Sequence, residues 1–202
     1  MARIGVLGGT FDPPHIGHLA AAEDVAWKLG LDRVLFVPNR RPPHKQDQRV
    51  SAVRHRVAMV QLAIAGNPRF QLSTIELDRE GLSYTIDTLR ALRQEVPAGT
   101  EIYFLVGCDA VGELHMWHEP DAILDEFGLV IMERPMESAV NWDAAAARFP
   151  RIREQTCVVD VAELEISSKE IRNRVEEGAP IRYYVQPAVE RYIRLQGLYG
   201  AA

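Results

Sequence analysis

Cysteine is nearly absent: Cys108 and Cys157 are the only two in 202 residues. They stand far apart and without metal-ligand neighbours, which argues against a disulfide framework or a zinc site and for two reduced, partly buried thiols. No apolar run reaches the length of a bilayer crossing, and no basic stretch followed by an apolar core opens the chain. No membrane partner is expected, and the expected location is cytoplasmic. Positive charge is also short. Lys and Arg number 23 against 28 Asp and Glu, a formal net charge of -5, which gives no reason to expect nucleic acid as a partner. Internal repeats and low-complexity tracts are missing too.

What is present suits a soluble globular chain: 47% hydrophobic and 25% charged residues, enough to bury a core without staples. At this length a single domain over 1–202 is expected, with a helical C-terminal segment from about 167 to 202. β-Branched apolar runs at 4–7, 34–37, 70–75, 102–106, 129–132 and 157–161 read as strands. Helical patterns near 16–29, 52–65, 84–95 and 121–127 lie between them, and a further helix is expected at 188–195 after Gln186-Pro187. Gly30 and Gly66 stand where helices end; Ser51 and Ser83 stand where N-caps belong. This alternation predicts α/β architecture: a Rossmann-like, doubly wound and mostly parallel sheet.

The stretch Gly8-Gly9-Thr10-Phe11-Asp12-Pro13-Pro14-His15-Ile16-Gly17-His18 follows the first strand and opens the first helix. A Gly-rich turn between strand and helix presents backbone N–H groups and a helix N-terminus, which together attract phosphate. His15 and His18, three apart, share one face of the first helical turn, and Gly17 removes a side chain where an anion would approach. As imidazolium donors they would stabilise charge developing at phosphorus, without acting as bases.

Other candidates gather at strand ends. The loop 38–50 after the second strand carries Asn39-Arg40-Arg41-Pro42-Pro43-His44-Lys45, with Lys45 a point charge on a proline-stiffened segment. Arg54, His55 and Arg56 open the next helix, where cations are disfavoured unless they face an anion or water. Ser83-Tyr84-Thr85 opens another, to cap it or to bind substrate. Gly107-Cys108-Asp109 ends the fourth strand, and Asp109 either caps the next helix or accepts from ribose hydroxyls. Trp117 lies between His115 and His118, a pair without a third metal ligand that reads as surface histidines, so no metal site is expected. Ile166-Ser167-Ser168-Lys169-Glu170-Ile171-Arg172 is an N-cap pattern in isolation; beside the histidine loop it suggests a clamp for outer phosphates.

Taken in order, these elements resemble bacterial nicotinate-mononucleotide adenylyltransferases over nearly the whole chain. The His-x-Gly-His element alone marks the wider nucleotidyltransferase superfamily; the full set is narrower. The resemblance implies AMP transfer from ATP to nicotinate mononucleotide, giving deamido-NAD and pyrophosphate in NAD biosynthesis. It implies that His15 and His18 contact ATP phosphates, that Lys45 holds phosphate near the reacting centre, and that Ser167 and Arg172 grip the departing β- and γ-phosphates. Gly8, Gly9, Thr10, Phe11, Gly17, Gly107, Asp109, Ile166 and Ser168 would complete the ATP site. Trp117 would stack on the pyridine ring, with Thr85, Tyr84 and His44 near the acceptor. Mg²⁺ would accompany ATP, held mainly by phosphate and water. One departure is visible at Lys169, where many members carry Thr or Ser. Pantetheine-phosphate adenylyltransferase is the nearest alternative, and a nucleotide-binding module without catalysis is another. A homo-oligomer is left open, as is the preference for nicotinate over nicotinamide.

Overall fold

The computed structural model describes residues 1–40, 50–77, 79, 83–133 and 140–200. Its strands are β1 Arg3–Gly9, β2 Arg33–Pro38, β3 Phe70–Leu72, β4 Glu101–Gly107, β5 Gly128–Glu133 and β6 Thr156–Asp160. All pair in parallel, in the order β3-β2-β1-β4-β5-β6. The strands are apolar on both faces because both are covered. Along β2, Val34 and Phe36 enter one core cluster while Leu35 and Val37 enter the other. The expected doubly wound sheet is therefore observed.

Helices alternate with the strands: α1 Ile16–Lys28, α2 Val53–Ile64, α3 Thr85–Glu95, α4 Cys108–Glu113, α5 Pro120–Glu126, α6 Trp142–Arg148, α7 Ile152–Gln155, α8 Ser168–Glu176 and α9 Pro187–Leu195. The buried stripe of α1 is Ala21, Ala22, Val25 and Ala26, small side chains that let the helix sit close to the sheet. α1, α2, α8 and α9 contribute to one core cluster; α3, α4, α5 and α7 contribute to the other.

Several expectations need correction. Ser51 and Ser83 are not N-caps. Ala52 and Tyr84 hold those positions, neither with a side-chain cap bond. Ser51 instead donates its N–H to Asp12 Oδ2 at 3.0 Å. β3 ends at Leu72 rather than near 75, because the chain turns with Leu77 N–H donating to Thr74 O at 2.8 Å. α6 and α7 were not anticipated, although Asn141 caps α6 by accepting from Ala144 N–H. Cys108 is buried, its thiol donating to Met132 O at 3.4 Å, and Cys157 is half-buried. Among the described residues no helix is long and apolar enough to cross a membrane.

Candidate active site

Strand order reverses between β1 and β4, where helices leave for opposite faces and a crevice opens at the carboxyl edge. A cleft of about 490 Å³ occupies that place. Its lining includes Gly8 and Gly9 at the end of β1, His18 in the first turn of α1, Asn39 after β2, Gly107 at the end of β4 with Asp109 just beyond it, and Tyr84, Thr85 and Trp117. Eight residues proposed from sequence thus meet around one space. His15, Thr10, Phe11, Gly17, Ile166, Ser167, Ser168 and Arg172 do not line it. His44 and Lys45 lie outside the described residues.

The two histidines are organised by α1 itself. His15 is its N-cap and His18 its third residue, with the rings stacked at 3.7 Å between centroids. His15 is buried, so it stands behind His18 rather than in the cleft. His15 N–H donates to His18 Nδ1 at 3.2 Å. A ring that accepts at Nδ1 offers Nε2–H as its donor. No acidic residue occupies the first turn of α1, so nothing there competes with an anion. Gly17 also makes room for the His15 ring, since a Cβ there would lie 3.1 Å from His15 Nδ1.

Phe11 serves the loop through its core packing. Its backbone is left-handed at φ 50°, and its buried ring lies over Gly9 and edge-on to His18 at 5.2 Å. The next residue, Asp12, is buried as well, accepting from Ser51 N–H and from Tyr199 Oη at 2.6 Å. Of the two readings for Arg56, water fails and an anion holds, but the anion is internal: the side chain is 1% exposed, lies near the Asp12 carboxylate and donates to the carbonyls of Ser51 at 3.1 Å, Thr10 at 2.9 Å and Arg40 at 3.4 Å. Burial pulls its guanidinium below the ordinary value, an effect opposed by the Asp12 carboxylate and by Tyr199.

The start of α8 is fastened to the same loop. Ser168 Oγ donates to Pro13 O at 2.8 Å, and Arg172 Nη1 donates to Asp12 O at 2.7 Å. Ser167 Oγ caps the helix by accepting from Glu170 N–H, so the capping reading holds for that residue. Lys169 is exposed in the first turn of α8.

Across the cleft, Gly107 is the N-cap of α4, which removes Asp109 from the capping role. A Cβ on Gly107 would meet Asp109 Oδ1 at 2.6 Å, so glycine permits the exposed carboxylate its place on the rim. Trp117 packs edge-on against Phe104 at 5.9 Å and keeps part of its surface in the cleft. The Tyr84 ring lies 4.4 Å from that of His118. His115 and His118 are exposed, and no group of three metal-ligating side chains occurs among the described residues.

Asn39 and Glu76 were missed as site residues. Asn39 Oδ1 and Ser83 Oγ both line the cleft, are buried, and lack a protein partner among the described residues. Such orphaned groups fit a ligand that completes them. Glu76 lines the cleft too, accepting from Thr88 Oγ1 at 2.9 Å. Burial pushes its carboxyl above the ordinary range, against the pull of Thr88, Arg79 and the Arg40 N–H. Nothing in its flanking sequence marked it; burial alone reveals it. A raised native value means that the folded state holds this proton more tightly than the unfolded chain. The associated stability is complete at acid pH and is lost as pH rises through the raised value. Glu76→Gln is therefore expected to raise the melting temperature at pH 8, with the gain shrinking towards pH 5 in thermal melts across that range. A pH-independent difference would remove the titration of Glu76 from the account.

Comparisons with known proteins agree with this architecture. A family model described as cytidylyltransferase-like matches residues 6–174. The chain is 42% identical to a probable nicotinate-nucleotide adenylyltransferase of Moorella thermoacetica, over 98% of this chain and 91% of that protein. It is 45% identical to a protein of the same description in Geobacillus thermodenitrificans, over 100% of this chain and 88% of that one. In fold, it matches a Plasmodium falciparum nicotinic acid mononucleotide adenylyltransferase complexed with NaAD, with a TM-score of 0.81 at 21% identity, covering 100% and 99% of the two chains. The cleft at the strand reversal, the histidine-bearing start of α1 and these full-length relatives lead to one conclusion: the chain belongs to the cytidylyltransferase-like family of nucleotidyltransferases, among the nicotinate-nucleotide adenylyltransferases.

Proposed function

We propose that the chain transfers AMP from ATP to nicotinate mononucleotide, forming deamido-NAD and releasing pyrophosphate. The observation that carries this reading is the placement of His18 at the start of α1, in one cleft with Gly8, Gly9 and Trp117. That cleft offers a phosphate-binding corner at one side and a flat aromatic platform at another.

The chemistry asks little of the protein in covalent terms. The 5′-phosphate of the acceptor is already anionic near neutral pH, so its oxygen attacks the α-phosphorus without a general base. An O–P bond forms there as the bond to the β-phosphate bridge breaks, and pyrophosphate leaves with the electron pair. The task is alignment and neutralisation of charge on the pentacoordinate phosphorus. His18 Nε2–H donates to that charge, with His15 holding the ring from behind. The backbone of Gly8 and Gly9 lets the phosphate approach closely. Arg172 uses one N–H on Asp12 O and has others for the departing phosphates. Asp109 accepts from ribose hydroxyls, and Ser83, Tyr84 and Thr85 surround the acceptor. For His44 and Lys45, outside the described residues, the resemblance alone implies roles toward the acceptor and a phosphate.

Mg²⁺ fits as the counter-ion of the triphosphate. The acidic side chains lining the cleft, Asp109, Glu76 and Glu113, form no three-ligand cluster that would hold it as a resident metal. When bound with ATP it lowers the charge on the leaving pyrophosphate.

Two measurements test the reading. With ATP present, mass spectrometry is expected to find deamido-NAD when nicotinate mononucleotide is supplied, and no dephospho-coenzyme A when pantetheine phosphate is supplied. The reverse pattern would move the chain to the neighbouring activity; no product with any acceptor would leave a binding module. Trp117→Ala is expected to raise the KM for nicotinate mononucleotide by about tenfold, the scale of one aromatic stacking contact, with kcat and the ATP KM little changed. An increase in the ATP KM alone would place the indole elsewhere.

A further inference from the structure

The inference concerns the turn that follows α9, and it rests on the adenylyl-transfer reading above. Residues Leu198–Gly200 form a short 3-10 turn, and Tyr199 inside it is left-handed at φ 59° and ψ 26°. A tyrosine rarely adopts that conformation, because its Cβ crowds the backbone. The surroundings must hold it there. They do so through the side chain: Tyr199 Oη donates to Asp12 Oδ1 at 2.6 Å and touches Met59 Sδ at 3.9 Å.

Asp12 is the meeting point of the phosphate loop. Its carboxylate takes the Tyr199 hydroxyl on one oxygen and the Ser51 N–H on the other, and its backbone carbonyl takes Arg172. It stands directly after Phe11, the left-handed residue whose ring abuts His18. α1 is secured from the same part of the chain, since Ile16 N–H donates to Tyr184 O at 2.9 Å. The segments on either side of α9 therefore hold the histidine loop from behind, Tyr199 from 187 residues away in sequence.

We propose that Tyr199 is a positioning residue for adenylyl transfer: by donating to Asp12 it fixes the loop that aims His18 at the reacting phosphate. Burial, and then the Asp12 charge, push the Tyr199 hydroxyl above its ordinary range, so it remains a donor across the working pH range. The strained backbone is the cost of bringing that hydroxyl to Asp12. Small displacements of a donor matter most when charge develops, so the effect belongs in kcat rather than in acceptor binding.

The test pairs two hydroxyl deletions from the same region. Tyr199→Phe removes the bond to Asp12; Tyr192→Phe removes a comparable contact, 2.9 Å from His55 Nδ1, that does not reach the loop. Thermal midpoints are recorded for both, with kcat and KM for ATP and nicotinate mononucleotide. Tyr199→Phe is expected to lower kcat about tenfold or more while the KM for nicotinate mononucleotide stays within about twofold. Tyr192→Phe is expected to keep wild-type kcat at a similar or larger loss of thermal midpoint. Wild-type turnover in Tyr199→Phe, or equal losses of kcat in both variants, would overturn the proposal. An inactive parent protein would instead count against the adenylyl-transfer reading itself.

Discussion

His18→Ala is expected to lower kcat for deamido-NAD formation by about 10²-fold or more, the scale for losing one preorganised donor to a developing oxyanion. His18 is the only imidazole of the pair that lines the cleft, and its Nδ1 is already satisfied by His15 N–H. In the proposed site the loop backbone also holds ground-state ATP, so the ATP KM is expected to change much less than kcat. Steady-state kinetics on the purified variant check this, with pyrophosphate as the readout. Near-normal turnover would remove the histidine from the transition state; a large rise in the ATP KM with unchanged kcat would make it a binding residue only.

The second large effect falls on stability. Arg56→Met is expected to cost about 3–5 kcal/mol, because it removes a buried charge and leaves its partners unpaired. Three carbonyls lose a donor, those of Thr10, Ser51 and Arg40, and the Asp12 carboxylate loses a neighbouring cation. For a chain of this size such a loss lowers the melting temperature by roughly 6–20 °C. Arg56→Lys is expected to recover only part of it, since an ammonium cannot span three carbonyls as a planar guanidinium does. Differential scanning calorimetry of the two variants distinguishes this from a surface arginine, whose loss would leave the transition within a degree or two.

The layout was legible in the sequence where local rules and the final fold agree. The strand runs, the Gly-rich turn and the helical stretch after His18 each show the periodicity of the element they form. Their alternation then leaves few topologies, and the observed strand order is one of them. Residues that line the cleft were legible where motif and position coincide, as with Gly8, Gly9, His18, Gly107 and Asp109. What stayed hidden depends on contacts between segments remote in sequence. Arg56 looks like any cation in a first helical turn until Thr10 and Arg40 are folded around it. Glu76 and Thr88, 12 residues apart, face each other only because the chain turns after β3. Tyr199 sits in an ordinary C-terminal stretch, and its partner Asp12 is 187 residues earlier. Ser51 is likewise drawn to remote partners, its N–H to Asp12 and its side chain to Tyr199, and Ala52 rather than Ser51 is the N-cap of α2.

Direct attack of the acceptor phosphate on ATP, with no enzyme-bound adenylyl group, is the centre of the account. The stereochemical course at the α-phosphorus tests it most directly. With ATP made chiral by sulfur on that phosphorus and nicotinate mononucleotide as acceptor, the account predicts a deamido-NAD analogue of inverted configuration. Retention would mean two successive displacements through a covalent intermediate, and would contradict it.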